Sequence, residues 1–295
     1  MFRWIFLSIL ALAVFAPPAF ALEAKTRLLK PWNLPPPQED YAPVNGLPDG
    51  IVTYGDGYIA SAWLEGPTKR YDHGVLGDAI EARTVAAQMK DGRILKHHLD
   101  SESVFEDRMV RIVDVDGDGK DELMVVRSYL ESGSAVAILA PGRGELVIVA
   151  ENEPIHLPYR WLNPVGVGDF DGDGETEIAI VETPHIGGIL RLLRKKVRTI
   201  KKVTYAWGFS NHAHGSRNIG LSLVEDLDGD GIPEIILPDD LRRAIRVVTF
   251  AGGTFKELLN IPLPEPITQD FILSDDGKLI VPLKEGQAME ITFTP

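Results

Sequence analysis

The chain has 295 residues, 44% of them hydrophobic and 25% charged, with a formal net charge of −13. It is too apolar for a disordered tail and long enough for one large domain or two small ones. A pI near 5.0 argues against nucleic-acid binding, which needs a basic face. The absence of cysteine excludes disulfides, thiolate nucleophiles and zinc–thiolate sites.

Residues 1–21 read as a signal peptide. Arg3 is the only charge before Glu23, residues 4–16 are apolar except for Ser8, and Ala19-Phe20-Ala21 presents small residues to a peptidase. The apolar run is short for a bilayer span, which needs about 20 residues. Cleavage after Ala21 is expected, with an uncleaved anchor as the alternative. The mature protein is then exported, periplasmic or secreted, with no transmembrane span, and loss of Arg3 takes its charge from −13 to −14. Residues 22–50 form an N-terminal closing strand and a Pro-rich segment. Within them, 26–32 is placed to pair with the end of the chain and bury Leu28, Leu29 and Trp32, ahead of the Pro35-Pro36-Pro37 turn.

Residues 51–295 carry a repeat. The first unit, 51–100, has β-like runs at 51–56, 58–64, 82–89 and 93–99, a degenerate Gly55-Asp56-Gly57 loop, and an insertion at 71–78 long enough to cap a ring. Units at 109–157, 162–210 and 218–262 each open as strand, acidic loop, strand, and continue through two further runs joined as a hairpin. The unit at 267–295 supplies three runs. Four strands in about 50 residues make one blade of a β-propeller. The expected fold is therefore all-β, a five-bladed propeller of four-stranded antiparallel blades. Its ring is closed by the N-terminal strand, because an open edge invites aggregation.

The acidic loops share one pattern, Asp-x-Asp-Gly-Asp-Gly-x-x-Glu. Their carboxylates are Asp114, Asp116, Asp118 and Glu122, then Asp169, Asp171, Asp173 and Glu177, then Asp226, Asp228, Asp230 and Glu234, with starts 55 and 57 residues apart. Alternate oxygens around a tight turn converge on a hard cation, so the expected cofactor is Ca²⁺, up to three ions. Magnesium, with stricter geometry, fits less well. An EF-hand is excluded because position 12 holds Val125, Ile180 and Leu237, where that loop needs an acid.

These loops and their flanking strands resemble the FG-GAP or VCBS-type repeat of integrin-α-like calcium-binding propellers, over residues 109–260. The resemblance implies the propeller and the calcium sites. It leaves activity open, since such propellers include adhesion modules, lectins, lyases and chaperone-like proteins.

In such a fold the loops joining strands two and three, with those crossing between blades, lie opposite the calcium loops. They hold His185, His212, His214, Arg217, Arg160 and Trp161, the candidate ligand residues, presented by loops on a rigid scaffold. The leading expectation is a monomeric module binding a protein or glycan. The alternative is a hydrolase or lyase using His185, His212 and His214, as a metal site or otherwise. Hydrogen bonding of the same histidines to turn carbonyls is the third reading. A basic stretch at 191–202 holds seven Lys or Arg in twelve residues and reads as a solvated outer edge or as a surface for an anionic envelope.

Overall fold

The computed structural model describes residues 22–32, 40–43 and 45–295. The expected signal peptide and the Pro35–Pro37 turn lie outside the described residues. Among the described residues the chain is all-β: there is no α-helix, only two short 3₁₀ turns at Ala251–Gly253 and Lys284–Gly286. Among the described residues no helix is long and apolar enough to cross a membrane.

The strands lie in successive antiparallel meanders, each running outward in chain order. The first set is β2 (Thr53–Tyr54), β3 (Ile59–Thr68), β4 (Glu81–Met89) and β5 (Ile94–His98). The second is β7 (Arg111–Val113), β8 (Glu122–Tyr129), β9 (Gly133–Pro141) and β10 (Leu146–Glu151). The third is β11 (Leu162–Gly168), β12 (Glu177–Glu182), β13 (Ile189–Lys196) and β14 (Thr199–Trp207). The fourth is β15 (Leu223–Glu225), β16 (Glu234–Pro238), β17 (Ala244–Thr249) and β18 (Lys256–Pro262). The last is β19 (Ile272–Leu273), β20 (Leu279–Leu283) and β21 (Gln287–Thr294), and the outer place beside β21 is taken by β1 (Glu23–Leu29).

One element was not legible beforehand. Strand β6 (Ser103–Phe105) pairs with both β4 and β8 and stitches the first set to the second. Three buried residues have too little periodicity to read as a strand.

The second strand of each set is buried along most of its length, as in Glu177–Glu182, where every residue is buried and the inner four are apolar, because neighbouring sets cover both of its faces. The core is shared across those seams. Met124, Val126 and Ile138 of the second set pack with Ile178, Ile180 and Leu193 of the third. Ile236 and Val247 of the fourth pack with Val281 and Ile291 of the last.

The closing strand departs from expectation in its burial. Leu28 is 38% exposed, and Leu29 and Trp32 are only half-buried. An outermost strand has one neighbour and one covered face, so its anchors are Leu22 and Ala24 against the last set's core. The Arg27 Nη2–Glu290 Oε2 pair at 2.8 Å and the bond from Trp32 N to Gly286 O at 2.8 Å add to them. Removing residues up to 32 strips seven register pairs from β21. Such a truncation is expected to melt earlier and to self-associate through the bared β21 edge, measured by thermal melting and size-exclusion chromatography. An unchanged, monomeric profile would show that β1 is dispensable.

Candidate functional site

The three acidic loops fold identically. The first Asp accepts loop amides: Asp114 Oδ1 from Gly117 N at 2.8 Å and Oδ2 from Gly119 N at 2.8 Å. Asp169 receives Gly172 N and Gly174 N, both at 2.8 Å, and Asp226 receives Gly229 N and Gly231 N at 2.8 and 3.0 Å. The two glycines of every loop have φ between 73° and 89°, a region that side chains disfavour. The closing Glu is buried and accepts the amide of position two: Glu122 from Val115, Glu177 from Phe170, Glu234 from Leu227, at 3.1, 3.0 and 2.9 Å.

Carboxylate oxygens of Asp114, Asp116 and Glu122 lie within 4.8 Å of one another, as do those of Asp169, Asp171 and Glu177, and those of Asp226, Asp228 and Asp230. An all-oxygen, all-anionic set suits a hard cation. Asp118, Asp173 and Glu234 fall outside these groups of three. Asp118 pairs with Lys120 at 2.9 Å and Asp173 with Arg194 at 2.9 Å. Glu234 is pushed up to about 7 by burial and then by Asp228 and Asp230.

The basic stretch at 191–202 is an exposed edge at Arg198 and Lys201, while its other five basic side chains pair with carboxylates. The β13–β14 tip bends onto the acidic loops: Arg194 enters the second loop, Lys196 holds Glu175 at 2.7 Å, and Lys195 reaches Asp116 of the preceding set. Arg191 and Lys202 pair with Glu182.

The candidate ligand residues lie in the loops joining strands two and three and in the crossings between sets. A cavity of about 220 Å³ is lined by His73, Tyr159, Arg160, Trp161, Thr183, His185, Ile186 and His214. Four of the six expected residues thus meet there. His212 lies behind the wall, fully buried. Its Nε2 is 2.9 Å from the Ser216 carbonyl and its Nδ1 is 2.8 Å from His185 Nε2. A carbonyl only accepts, so His212 carries its proton on Nε2 and donates it to Ser216 O, while its Nδ1 accepts a hydrogen bond from His185 Nε2–H. Both rings are then neutral, and the free nitrogen of His185 is Nδ1. Burial drives His185 down to about 3 and His212 down to about 4.

Arg217 does not reach the cavity. Its guanidinium is bound to Asp49 at 3.1 Å and Asp78 at 3.0 Å. Nor do the three histidines form a metal site: both nitrogens of His212 are engaged. Among the described residues every group of three closely spaced ligand atoms is carboxylate only.

The structure adds residues from the 71–78 insertion. Val75 and Leu76 are buried in the core beside Trp161 and Ile219, so the insertion is a packed wall. It brings in His73, whose Nδ1 lies 2.7 Å from Oε1 of the wholly buried Glu106. The Ser128 hydroxyl donates to the other oxygen of Glu106, and Ser134 Oγ stands 2.6 Å behind Ser128. Burial raises Glu106, and His73 and the serines pull it back. Nearby Glu81 is pushed up to about 10 by burial and then by Glu106. Trp161 donates its Nε1–H to Glu106 O at 3.0 Å and lies parallel to the His185 ring. Tyr159 stacks on Tyr71, centroids 5.1 Å apart.

The cavity loops are held in unusual backbone. Tyr159 and Thr183, both lining the cavity, and nearby His156 have positive φ without being glycine, a conformation that costs free energy and clusters at functional sites. Gly188 lets the 183–188 loop press on the Phe209 carbonyl, where a Cβ would sit 1.5 Å from the oxygen. That contact sets His185 against His212.

Residues 114–180 match the family described as the FG-GAP-like repeat, so this segment is an FG-GAP-like repeat. No curated protein matches the sequence. Among solved structures, a candidate 6-phosphogluconolactonase of Bacteroides fragilis is similar at 17% identity and TM-score 0.42, over 79% of this chain and 63% of its own. The chain thus spans less than two thirds of that protein. The WD40 domain of Toxoplasma gondii coronin is similar at 11% identity and TM-score 0.40, over 94% of this chain and 87% of its own.

The neutral pair has a spectroscopic consequence. The ring-proton resonances of His185 and His212 are expected to stay fixed from pH 8 to pH 5 in the folded protein. In the unfolded chain each takes up a proton near pH 6.5. Their contribution is therefore stability present above that value and lost as pH falls towards 4. Ring protons that titrate near pH 6.5 in the native state would refute the buried relay.

Proposed function

We propose that this FG-GAP-repeat chain is an exported, five-bladed, calcium-binding propeller that acts as a binding module, holding one sugar ring of a glycan in the His73–Tyr159–His185–His214 cavity. The five meanders, the last completed by β1, support the blade count and the closure of the ring. The three oxygen clusters support calcium. The observation that carries the ligand reading is the cavity itself. It is walled by aromatic rings, sits among strained loops, and is lined by imidazoles whose hydrogen-bonding edges remain available. At about 220 Å³ it is below the usual range for drug-sized ligands and suits a single ring. Burial holds His185 uncharged at the wall at neutral pH, so that beside Arg160 the lining offers mainly uncharged donors and acceptors, which suit a polyol.

A glycan array probed with the mature protein tests this. A folded Tyr159→Ala, His214→Ala double variant is expected to lose the captured glycan by at least tenfold, since both side chains are exposed and their truncation costs little stability. Undiminished binding would move the site elsewhere.

A hydrolase or lyase reading draws on one pair, His73 and Glu106, whose 2.7 Å contact orients the imidazole as a carboxylate orients a general base. It predicts turnover of the bound glycan that is abolished by His73→Gln. Binding without turnover favours the module.

Calcium is tested separately. A ligand bound only by the folded state adds about 2.7 kcal/mol at a hundredfold excess over its Kd, or roughly 5–10 °C in Tm for a chain of this size. EDTA is expected to lower the Tm by at least that much, and calcium to restore it. A melting curve indifferent to both would remove calcium from the account.

A further inference from the structure

The three acidic loops share a backbone but differ in what faces their closing glutamate. In the third set Glu177 stands directly across the ladder from Arg194. Continuing the ladders by one residue puts Ala140 opposite Glu122 and Thr249 opposite Glu234. The first loop has Lys120, which pairs with Asp118 at 2.9 Å, but only the second has a cation across the ladder from its closing glutamate.

That guanidinium contacts four carboxylates. Arg194 Nε lies 2.6 Å from Glu177 Oε1, and Nη2 bonds the same oxygen and lies 3.0 Å from Asp171 Oδ2. Nη1 lies 2.9 Å from Asp173 and 2.7 Å from Glu175. Asp171 and Glu177 are two of the three residues whose oxygens would converge on an ion, and Nη2 touches both. A divalent ion would need those oxygens at 2.3–2.6 Å and would meet a fixed positive charge on the same two groups, which repels it. The Arg194 side chain is 13% exposed and packed, so withdrawing it to solvent would leave its packing and all four contacts unmade.

The other loops differ. In the first, Lys195 contacts Asp116 through a flexible stem and leaves Asp114 and Glu122 without a basic partner among the described residues. In the third, no basic side chain among the described residues pairs with Asp226, Asp228, Asp230 or Glu234.

We infer that Arg194 is the resident cation of the second acidic loop. That loop takes no divalent ion, and calcium uptake is confined to the third loop and, more weakly, the first. This rests on the proposal that the acidic loops bind calcium, and it divides the three repeats into one self-neutralised unit and two ion-dependent ones.

The test is calorimetric titration of chelator-stripped full chain with calcium alone. Wild type is expected to bind two ions, in a tight and a weak step. Arg194→Gln should bind three, and should melt earlier than wild type in EDTA with the difference recovered by calcium. Thr249→Arg moves the guanidinium to the third loop and should remove the tight step, leaving one ion. It keeps the question decidable if Arg194→Gln does not fold. Three ions in wild type with no gain in Arg194→Gln overturns the inference while calcium binding stands. No ion in wild type but one in Arg194→Gln upholds the role of Arg194 and defeats calcium binding elsewhere. A Thr249→Arg chain that keeps the tight step, or an Arg194→Gln chain that gains nothing, overturns the inference.

Discussion

The constraint on which this fold turns is the neutralisation of crowded carboxylates at the start of each hairpin. The first Asp of each loop is held by amides that only a glycine-bearing turn can aim inward, and the last Glu is buried against the amide of position two. These bonds fix where the inner strand ends and the second begins. They also concentrate negative charge that backbone dipoles only partly offset, so each unit requires a positive partner. The chain meets that requirement in two chemically different ways. A guanidinium fits where the cross-strand position is long and basic, and the carboxylates face no cation across the ladder where it is Ala140 or Thr249. The β13–β14 tip serves two units at once, because Lys195 crosses to Asp116, so charge compensation also ties neighbouring sets together.

The opposite face follows a different rule, in which burial keeps groups uncharged. His212 is enclosed with both nitrogens bonded, and its proton position dictates that of His185. The cavity therefore presents neutral edges whose donor and acceptor pattern is set from behind. The insertion contributes as much as the repeat does: Val75 and Leu76 anchor it in the core, and His73 reaches Glu106 on the crossing between sets. The acidic loops lie at one end of the second strands, and the loops that line the cavity lie at the other. The two are separated by the length of the strands.

What could be read in advance depended on range along the chain. The strict nine-residue pattern and its alternating strands are local, so the loops and nearly every strand of the four complete units were legible. The pairing of β1 with β21 followed from counting, since three runs leave a place empty. His185, His214, Arg160 and Trp161 were legible as polar and aromatic residues on one set of loops, and the cavity gathers them. The misses are all long-range. Nothing near Arg217 announces Asp49 and Asp78, nothing near His73 announces Glu106, and Leu28 looks like a core residue until its strand proves to be outermost. The basic stretch was read only in part for the same reason: composition marks its exposed edge, whereas only register reveals that Arg194, Lys195 and Lys196 face acidic loops.

Register also explains why a repeat can diversify without losing its shape. The residue opposite the closing glutamate lies on the third strand, outside the acidic motif, so it varies while the loop pattern stays intact. A substitution there leaves every amide bond of the turn in place and alters only the partner of the carboxylates. Changing Ala, Arg or Thr at this position shifts a unit between self-neutralised and ion-dependent without disturbing the ladder. The unit held by Arg194 carries its counter-charge covalently, on the third strand of its own meander.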